Sequence, residues 1–310
     1  MTSLISVCVV MVCGLLAVAF FTLFERKILG YMATRKGPNK VSFLGLFLPF
    51  ADAIKLFLKE FNGPMSSNNL IFIGVPLANF ILMLILWVLF PLEFGSMSHS
   101  MGIIFFLCVS GLTVYWILGS GWASNSKYAL IGALRGMAQT ISYEVSMVFL
   151  ILFSVLVVGS FNFYFMYKES ILVLVLSFPI LLMWVVTCMA ETNRAPLDFA
   201  EGESELVSGF NVEYSGGGFT FVFMAEYGGI LLLSLLSVVL FLGGKFFVVE
   251  NPEFFTMKVL MVSFLFLWVR SSYPRLRYNT LMDMTWKLFL PASISLLFSG
   301  LVLLSLFSVK

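Results

Sequence analysis

Charged residues are scarce in this chain of 310 residues. They make up 11% of it, whereas 60% of the residues are hydrophobic, and the mean hydropathy is +1.03. A soluble protein of this size has too much surface to hide so large an apolar fraction. A lipid bilayer removes that difficulty, so the composition predicts one integral membrane domain over residues 1–310.

Metal-ligating side chains are almost absent as well. The sequence has a single histidine, His99, and four cysteines without a CxxC pair, Cys8, Cys13, Cys108 and Cys188. Iron–sulfur and zinc sites need more ligands at closer spacing. We therefore expect this chain to bind no metal, flavin or iron–sulfur cluster. The net charge of +2, without a basic stripe carrying aromatics, also argues against nucleic acid as a partner.

Long apolar runs predict the fold. A membrane-spanning helix needs about 20 apolar residues, and eight segments qualify. They are residues 2–24, 69–92, 101–119, 137–160, 170–190, 219–243, 254–270 and 287–309. The first run carries no basic start or cleavage site of a signal peptide, so we read it as a membrane helix. The fold class is an all-α membrane protein with about eight transmembrane helices.

Basic residues indicate the orientation. Fourteen of the 18 lysines and arginines lie in or beside the loops that follow helices 1, 3, 5 and 7. The positive-inside rule places these loops on the cytoplasmic or matrix side. One of them contains an amphipathic segment in which Pro49 can open a helix. Its apolar residues recur at helical spacing, as expected of a helix lying in the membrane interface: Phe47, Phe50, Ala51, Ile54, Phe57 and Leu58.

The loop after helix 5 is unusually acidic. It carries six carboxylates against one cation, Arg194; they belong to Glu191, Asp198, Glu201, Glu203, Glu205 and Glu213. Because apolar residues are interleaved, we expect the loop to fold into the protein and bury some of them. Crowded carboxylates cannot all ionise, so such a cluster can take up and release protons. The alternative is a solvated loop on the inner face.

Two further carboxylates, Glu144 and Glu226, fall within predicted membrane helices. An ionisable residue there is costly and by default is a functional candidate that faces protein or water. The alternative for Glu144 is a structural partner for a neighbouring helix.

Four segments resemble one known family. They are ERKILGYMATRKGPNK with PFADAIKLFLKE, GWASNSKYALIGALRGMAQTISYEVS, AETNRAPLDFAEGESELVSGFNVEY and RSSYPRLRY. They are similar to the signature segments of the chain 1 family of respiratory complex I, the proton-translocating NADH:ubiquinone oxidoreductase. The resemblance covers the whole chain, and the Phe-rich composition resembles a mitochondrially encoded member. Leu48, Asn279 and the run from Gly216 to Gly218 depart from the usual pattern of the family.

The resemblance implies a function. Family members join the peripheral arm to the membrane arm of the complex in the mitochondrial inner membrane, with the large loops facing the matrix. They carry no redox centre, and their partners are the other membrane-arm subunits, the peripheral-arm subunits at the quinone junction and lipids. Ubiquinone, the substrate, enters through a tunnel bordered by helix 1, the amphipathic helix and helix 6. Carried onto this sequence, the tunnel residues are Arg26, Asp52, Arg194 and Phe223.

The same resemblance implies a buried acidic path that couples quinone reduction to proton translocation. It maps onto Glu144, Glu191, Asp198, Glu201 and Glu226, with Tyr143 alongside and Glu203 and Glu205 in the same loop. Three alternatives stay open at this point. They are the homologous membrane subunit of a proton-pumping hydrogenase, a proton transporter that works alone, and a scaffold that only anchors the peripheral arm.

Overall fold

The computed structural model describes residues 2–90, 100–176, 178–200, 202, 207–243 and 252–308. Within these ranges the chain is helical and contains no β-strand. The α-helices are α1 (Thr2–Met32), α2 (Leu48–Phe57), α3 (Asn69–Trp87), α4 (Gly102–Ala123), α5 (Lys127–Val158), α6 (Phe163–Leu176), α7 (Phe178–Glu191), α8 (Gly216–Ser237), α9 (Pro252–Ser272), α10 (Tyr278–Asp283) and α11 (Leu290–Ser308). Short π-helical turns, Val238–Leu242 and Met284–Phe289, extend α8 and join α10 to α11.

The predicted membrane class is confirmed. In the described part of the chain, seven helices are long and apolar enough to cross a bilayer, and α7 is a shorter apolar helix. The predicted span 170–190 falls on α6 and α7, which have 14 residues each. The protein is therefore an all-α, multi-pass membrane protein.

Several helices are longer than their apolar runs predicted. Helix α1 continues to Met32 rather than ending near residue 24, and α5 begins at Lys127 rather than near residue 137. The last predicted span, 287–309, is preceded by α10, which begins at Tyr278. Arginine and lysine are good helix formers, so a helix continues past the point where hydropathy falls. Hydropathy locates the apolar part of a helix but not its ends.

Helix α8 lies deepest in the molecule and packs against α1, α3, α7 and α9. Helix α5 packs against α4, α6, α7 and α11. Small residues allow the closest approaches. A Cβ at Gly132 of α5 would lie 2.8 Å from the backbone of Gly209, and a Cβ at Gly121 of α4 would lie 2.3 Å from Ala133. Close packing of small residues is a principal source of helix association within membranes.

The amphipathic segment forms α2, with Pro49 in its first turn as predicted. Most of its apolar side chains point away from the rest of the chain, and Ile54 is 61% exposed. An apolar face on a short helix is typical of a helix that lies in the membrane interface. Helix α2 contacts both α1 and α8, and the site described next lies along these contacts.

Candidate functional site

Helices α1, α2 and α8 contact one another pairwise through aromatic rings. Phe20 of α1 lies 5.8 Å from Phe50 of α2, measured between ring centroids, and Phe57 of α2 lies 6.3 Å from Phe221 of α8. Tyr227 of α8 closes the triangle at 6.1 Å from the Phe21 ring of α1. These edge-to-face contacts are of the favourable kind, and they give the three-helix junction an aromatic lining.

An ion pair joins α1 to α2 at the rim of this junction. Arg26 Nη1 donates a hydrogen bond to Asp52 Oδ2 at 2.7 Å, and both side chains remain partly exposed. Beside it lies an open cleft of about 730 Å³, also lined by Arg35, Lys36 and Lys40. The structure thus brings two sequence-predicted residues, Arg26 and Asp52, into direct contact.

A row of aromatic side chains leads inward along α8. The Phe223 ring lies 4.2 Å from Phe219 and 6.2 Å from Tyr227. These three residues are spaced by four, which places them on one face of the helix. The Arg194 guanidinium lies over the Tyr227 ring at 4.3 Å from its centroid, a cation–π contact. The row therefore connects Phe223 to Arg194.

Arg194 belongs to a cluster of alternating charges that is largely, though not fully, buried. Its Nη1 lies 3.8 Å from Glu25 Oε1 and its Nη2 lies 3.9 Å from Glu226 Oε2. Arg270 of α9 also pairs with Glu25, whose side chain is 5% exposed. Two arginines and two glutamates balance their charges, which is the condition for keeping ions inside a protein.

Sequence reasoning did not single out Glu25 or Arg270. They are 245 residues apart in the chain, so no local pattern reveals their pairing. The available signal was that Glu25 directly follows the first apolar run, since a carboxylate at the edge of a membrane helix needs a partner.

A cavity of about 110 Å³ lies on the far side of Glu226. It is bounded by α3, α4, α8 and the end of α7, and its polar lining includes Asn79, Ser110, Thr113, Glu191 and Glu226. The polar groups in an otherwise apolar wall, together with this volume, suit a small group of water molecules. Glu191 Oε2 is buried and has no hydrogen-bond partner among the described residues. The cavity therefore brings two of the predicted acids, Glu191 and Glu226, to one space.

Glu144 extends the row of acids toward α4. A Cβ added at Gly111 of α4 would lie 2.9 Å from Glu144 Oε1, so the absence of a side chain there makes room for the carboxylate. The neighbouring residue of α4, Ser110, lines the cavity, so Glu144 lies beside the wall of the space that Glu191 and Glu226 share. The order of groups is thus Arg194, Glu226, Glu191 and Glu144.

Tyr143 and Asp198 lie outside this row. Tyr143 is buried against Phe289, with 6.2 Å between the ring centroids. Asp198 Oδ2 lies 3.6 Å from Arg275 Nη2. The acidic loop folds into the protein at Asp198, as predicted. Glu201, Glu203 and Glu205 lie outside the described residues.

Farther along this inner loop, Tyr214 anchors the chain to α3. Its ring stacks on Phe72 with centroids 4.2 Å apart and planes 5° from parallel. Burial raises the pKa of the Tyr214 phenol above its ordinary value, so this group is neutral at physiological pH. Tyr214 therefore anchors the loop through its contact with Phe72.

No group of three or more His, Cys, Asp or Glu side chains is placed to hold a metal ion in the part of the chain that the structure describes. The chemistry available in this site is that of carboxylates, guanidinium groups and aromatic rings.

Comparison with known proteins gives a consistent assignment. A family described as NADH dehydrogenase matches residues 5–300. The chain is 49% identical over 298 residues to NADH-ubiquinone oxidoreductase chain 1 of Aedes aegypti, covering 96% of this chain and 94% of the relative. Proteins of the same name from Heterololigo bleekeri and Oncorhynchus mykiss are 51% and 50% identical. The alignments cover 92% and 93% of this chain, and 92% and 91% of those relatives.

Proposed function

The chain belongs to the NADH dehydrogenase family, as a chain 1 membrane subunit of the NADH-ubiquinone oxidoreductase complex, and from this premise we propose how it works. We propose that α1, α2 and α8 border the passage by which ubiquinone reaches its site of reduction. We further propose that the row of charges from Arg194 to Glu144 couples that reduction to proton translocation.

The observation that carries the proposal is the position of Arg194. Its guanidinium contacts Tyr227 at the inner end of the aromatic row and Glu226 at the wall of the polar cavity. One side chain therefore touches both the proposed passage and the proposed acidic path. A change of charge or protonation on the passage side alters the field at Glu226 directly.

The proposed passage suits ubiquinone chemically. An isoprenoid tail gains free energy from leaving water for an apolar channel, and aromatic rings such as Phe223 and Phe219 provide such a wall. The Arg26–Asp52 pair at the rim offers polar contacts to the head group as it passes from the membrane interface.

Quinone reduction consists of electron transfer and proton uptake, and the proposed coupling step follows from the order of these two events. Other subunits deliver two electrons, and the reduced quinone takes up two protons. Arg194 responds to the negative charge that appears before these protons arrive, which weakens its hold on Glu226. Glu226, Glu191 and Glu144 then redistribute protons, because closely spaced carboxylates titrate as one coupled group.

The proposed setting is the mitochondrial inner membrane, with the basic inner loops and α2 on the matrix side. There the cleft beside Arg26 and the loop that carries Arg194 would meet peripheral-arm subunits at the quinone junction. The names of the relatives favour this setting over a hydrogenase subunit or an independent transporter.

Photolabelling tests the quinone passage. The assembled complex would be irradiated with an azido-ubiquinone, with and without an excess of a quinone-site inhibitor, and the labelled peptides would be mapped. We expect inhibitor-protected label on peptides that contain Arg26, Asp52 or Phe223. Label confined to other subunits would contradict the passage while leaving the acidic path to be tested separately.

A further inference from the structure

Gln139 of α5 is fully buried and connects this helix to a distant part of the chain. Its Nε2 donates hydrogen bonds to Ala190 O at 2.9 Å and to Leu197 O at 2.6 Å. A glutamine amide has two N–H groups, and here each one is used on a different backbone carbonyl. Both acceptors are more than 50 residues away in sequence.

The two carbonyls bracket the segment that forms the centre of the site. Ala190 directly precedes Glu191, and Leu197 directly precedes Asp198. Between them the chain turns back on itself, with Leu197 N donating to Arg194 O at 2.9 Å and Arg194 N donating to Met189 O at 3.4 Å. Gln139 thus closes the base of a loop whose middle residue is Arg194.

We propose that Gln139 is a positioning residue that holds the loop 191–197 so that Arg194 faces Glu25 and Glu226 while Glu191 faces the cavity. This proposal rests on the proposed function, because the position of the loop matters for activity if Arg194 connects the quinone passage to the cavity. The requirement is chemical as well as steric, because the site needs two N–H donors on one buried side chain. Methionine has a similar length but no donor, and asparagine has the donors but a shorter reach.

A small displacement of the loop is enough to separate Arg194 from Glu25 and Glu226. The Arg194 contacts with Glu25 and Glu226 measure 3.8 and 3.9 Å, close to the limit of about 4 Å for an ion pair. A shift of about 1 Å in a positioned group lowers rates by up to about a hundredfold in enzymes. The loss of two buried hydrogen bonds at the base of the loop would permit such a shift.

The test compares Gln139→Met with wild type in the assembled complex. Ser154→Ala is the matched control, because Ser154 is equally buried on the same helix and, among the described residues, donates its hydrogen bond to Ile151 O of that helix. The rate of NADH oxidation with an artificial electron acceptor is used to normalise each preparation to its content of intact complex. Amide hydrogen exchange of residues 192–197, ubiquinone turnover and protons pumped per electron are then measured.

We expect Gln139→Met to accelerate exchange in residues 192–197 about tenfold and to lower ubiquinone turnover at least fivefold, with an unchanged KM for NADH. Fewer protons should be pumped per electron, and Ser154→Ala should match wild type. Gln139→Asn should fall between wild type and Gln139→Met, and it replaces that variant if the complex does not assemble.

Unchanged exchange would show that Gln139 does not hold the loop. Faster exchange with normal turnover and normal pumping would reduce Gln139 to a purely structural contact. Either result overturns the proposal without affecting the quinone passage, which photolabelling tests on its own.

Discussion

Arg194 contacts both the proposed passage, through Tyr227, and the proposed acidic path, through Glu226, and it also pairs with Glu25. The Glu25 carboxylate is nearly buried, accepts a hydrogen bond from Arg270 and forms an ion pair with Arg194. Removing one partner of a buried ionic group leaves the remaining charges without compensation, at a cost of about 3–5 kcal/mol.

We therefore expect Glu25→Gln to lower the amount of assembled complex and its Tm. Native gels and thermal unfolding of the purified complex would measure both effects. Glu253→Gln serves as the control because Glu253 is an exposed residue in the first turn of α9. Equal stability of the two variants would contradict the buried charge cluster.

A second prediction concerns Gly111, whose lack of a side chain leaves room for the Glu144 carboxylate. Gly111→Ala adds a methyl group 2.9 Å from Glu144 Oε1, so the carboxylate must move. We expect ubiquinone turnover coupled to pumping to fall severalfold. Gly74→Ala is the matched control, since a Cβ there meets nothing within 4 Å. Both changes replace glycine in a helix, which by itself is mildly stabilising, so a loss in both variants would rule out a specific effect at Glu144.

Among the residues, those inside membrane helices were predictable from the sequence. Glu144 and Glu226 stand out because carboxylates are rare in apolar runs, and the structure places both in the same row. Glu25 and Arg270 were missed because their significance is a contact between the first and ninth helices. The place of Tyr143 alongside the acids stays a prediction, and the structure adds that its ring packs on Phe289, a contact that depends on how the helices are arranged.

At the scale of elements, α2 is the part of the fold whose role depends most on the membrane. Its apolar face is exposed while Phe50 and Phe57 contact α1 and α8. The helix therefore bridges the lipid surface and the aromatic junction. Its position at the rim of the proposed passage follows from these two sets of contacts.

Placing a charge on the exposed face should disturb this position. Ile54 is 61% exposed, and burying such a side chain in lipid is worth about 1.5–3 kcal/mol. We expect Ile54→Lys to raise the KM for long-tailed ubiquinone severalfold and to change the KM for a short-tailed analogue less. Steady-state kinetics in proteoliposomes would measure both constants.

Lys55→Gln, which changes the neighbouring residue off the apolar face, should leave both KM values near wild type. An unaltered KM in Ile54→Lys would contradict the interfacial position of α2.

The elements themselves were largely predictable, because length and hydropathy identify a spanning helix. The predicted start of a helix near Pro49 was also correct. The ends of α1 and α5 were wrong by about 8–10 residues, counted against the helix bounds, because charged residues extend a helix beyond the apolar run without breaking it. The fifth predicted span, 170–190, lies on α6 and α7, which flank residue 177, a position outside the described part of the chain.

At the scale of the whole molecule, the arrangement of the helices creates the site. The aromatic junction needs α1, α2 and α8, the charge cluster needs α1, α8, α9 and the loop after α7, and the polar cavity adds α3 and α4. No segment contains more than a fraction of these groups, so the sequence alone predicts candidates but not their order. The order Arg194, Glu226, Glu191, Glu144 becomes apparent only when the helices are packed.

The central claim is that this row of charges carries the coupling, and the ratio of protons pumped to electrons transferred tests it most directly. The ratio would be measured in proteoliposomes containing the Glu226→Gln complex, the Glu191→Gln complex and the exposed control Glu253→Gln. We predict a clearly lower ratio in the first two, with quinone reduction still detectable, and a normal ratio in the control. A normal ratio in both Glu226→Gln and Glu191→Gln would contradict the account.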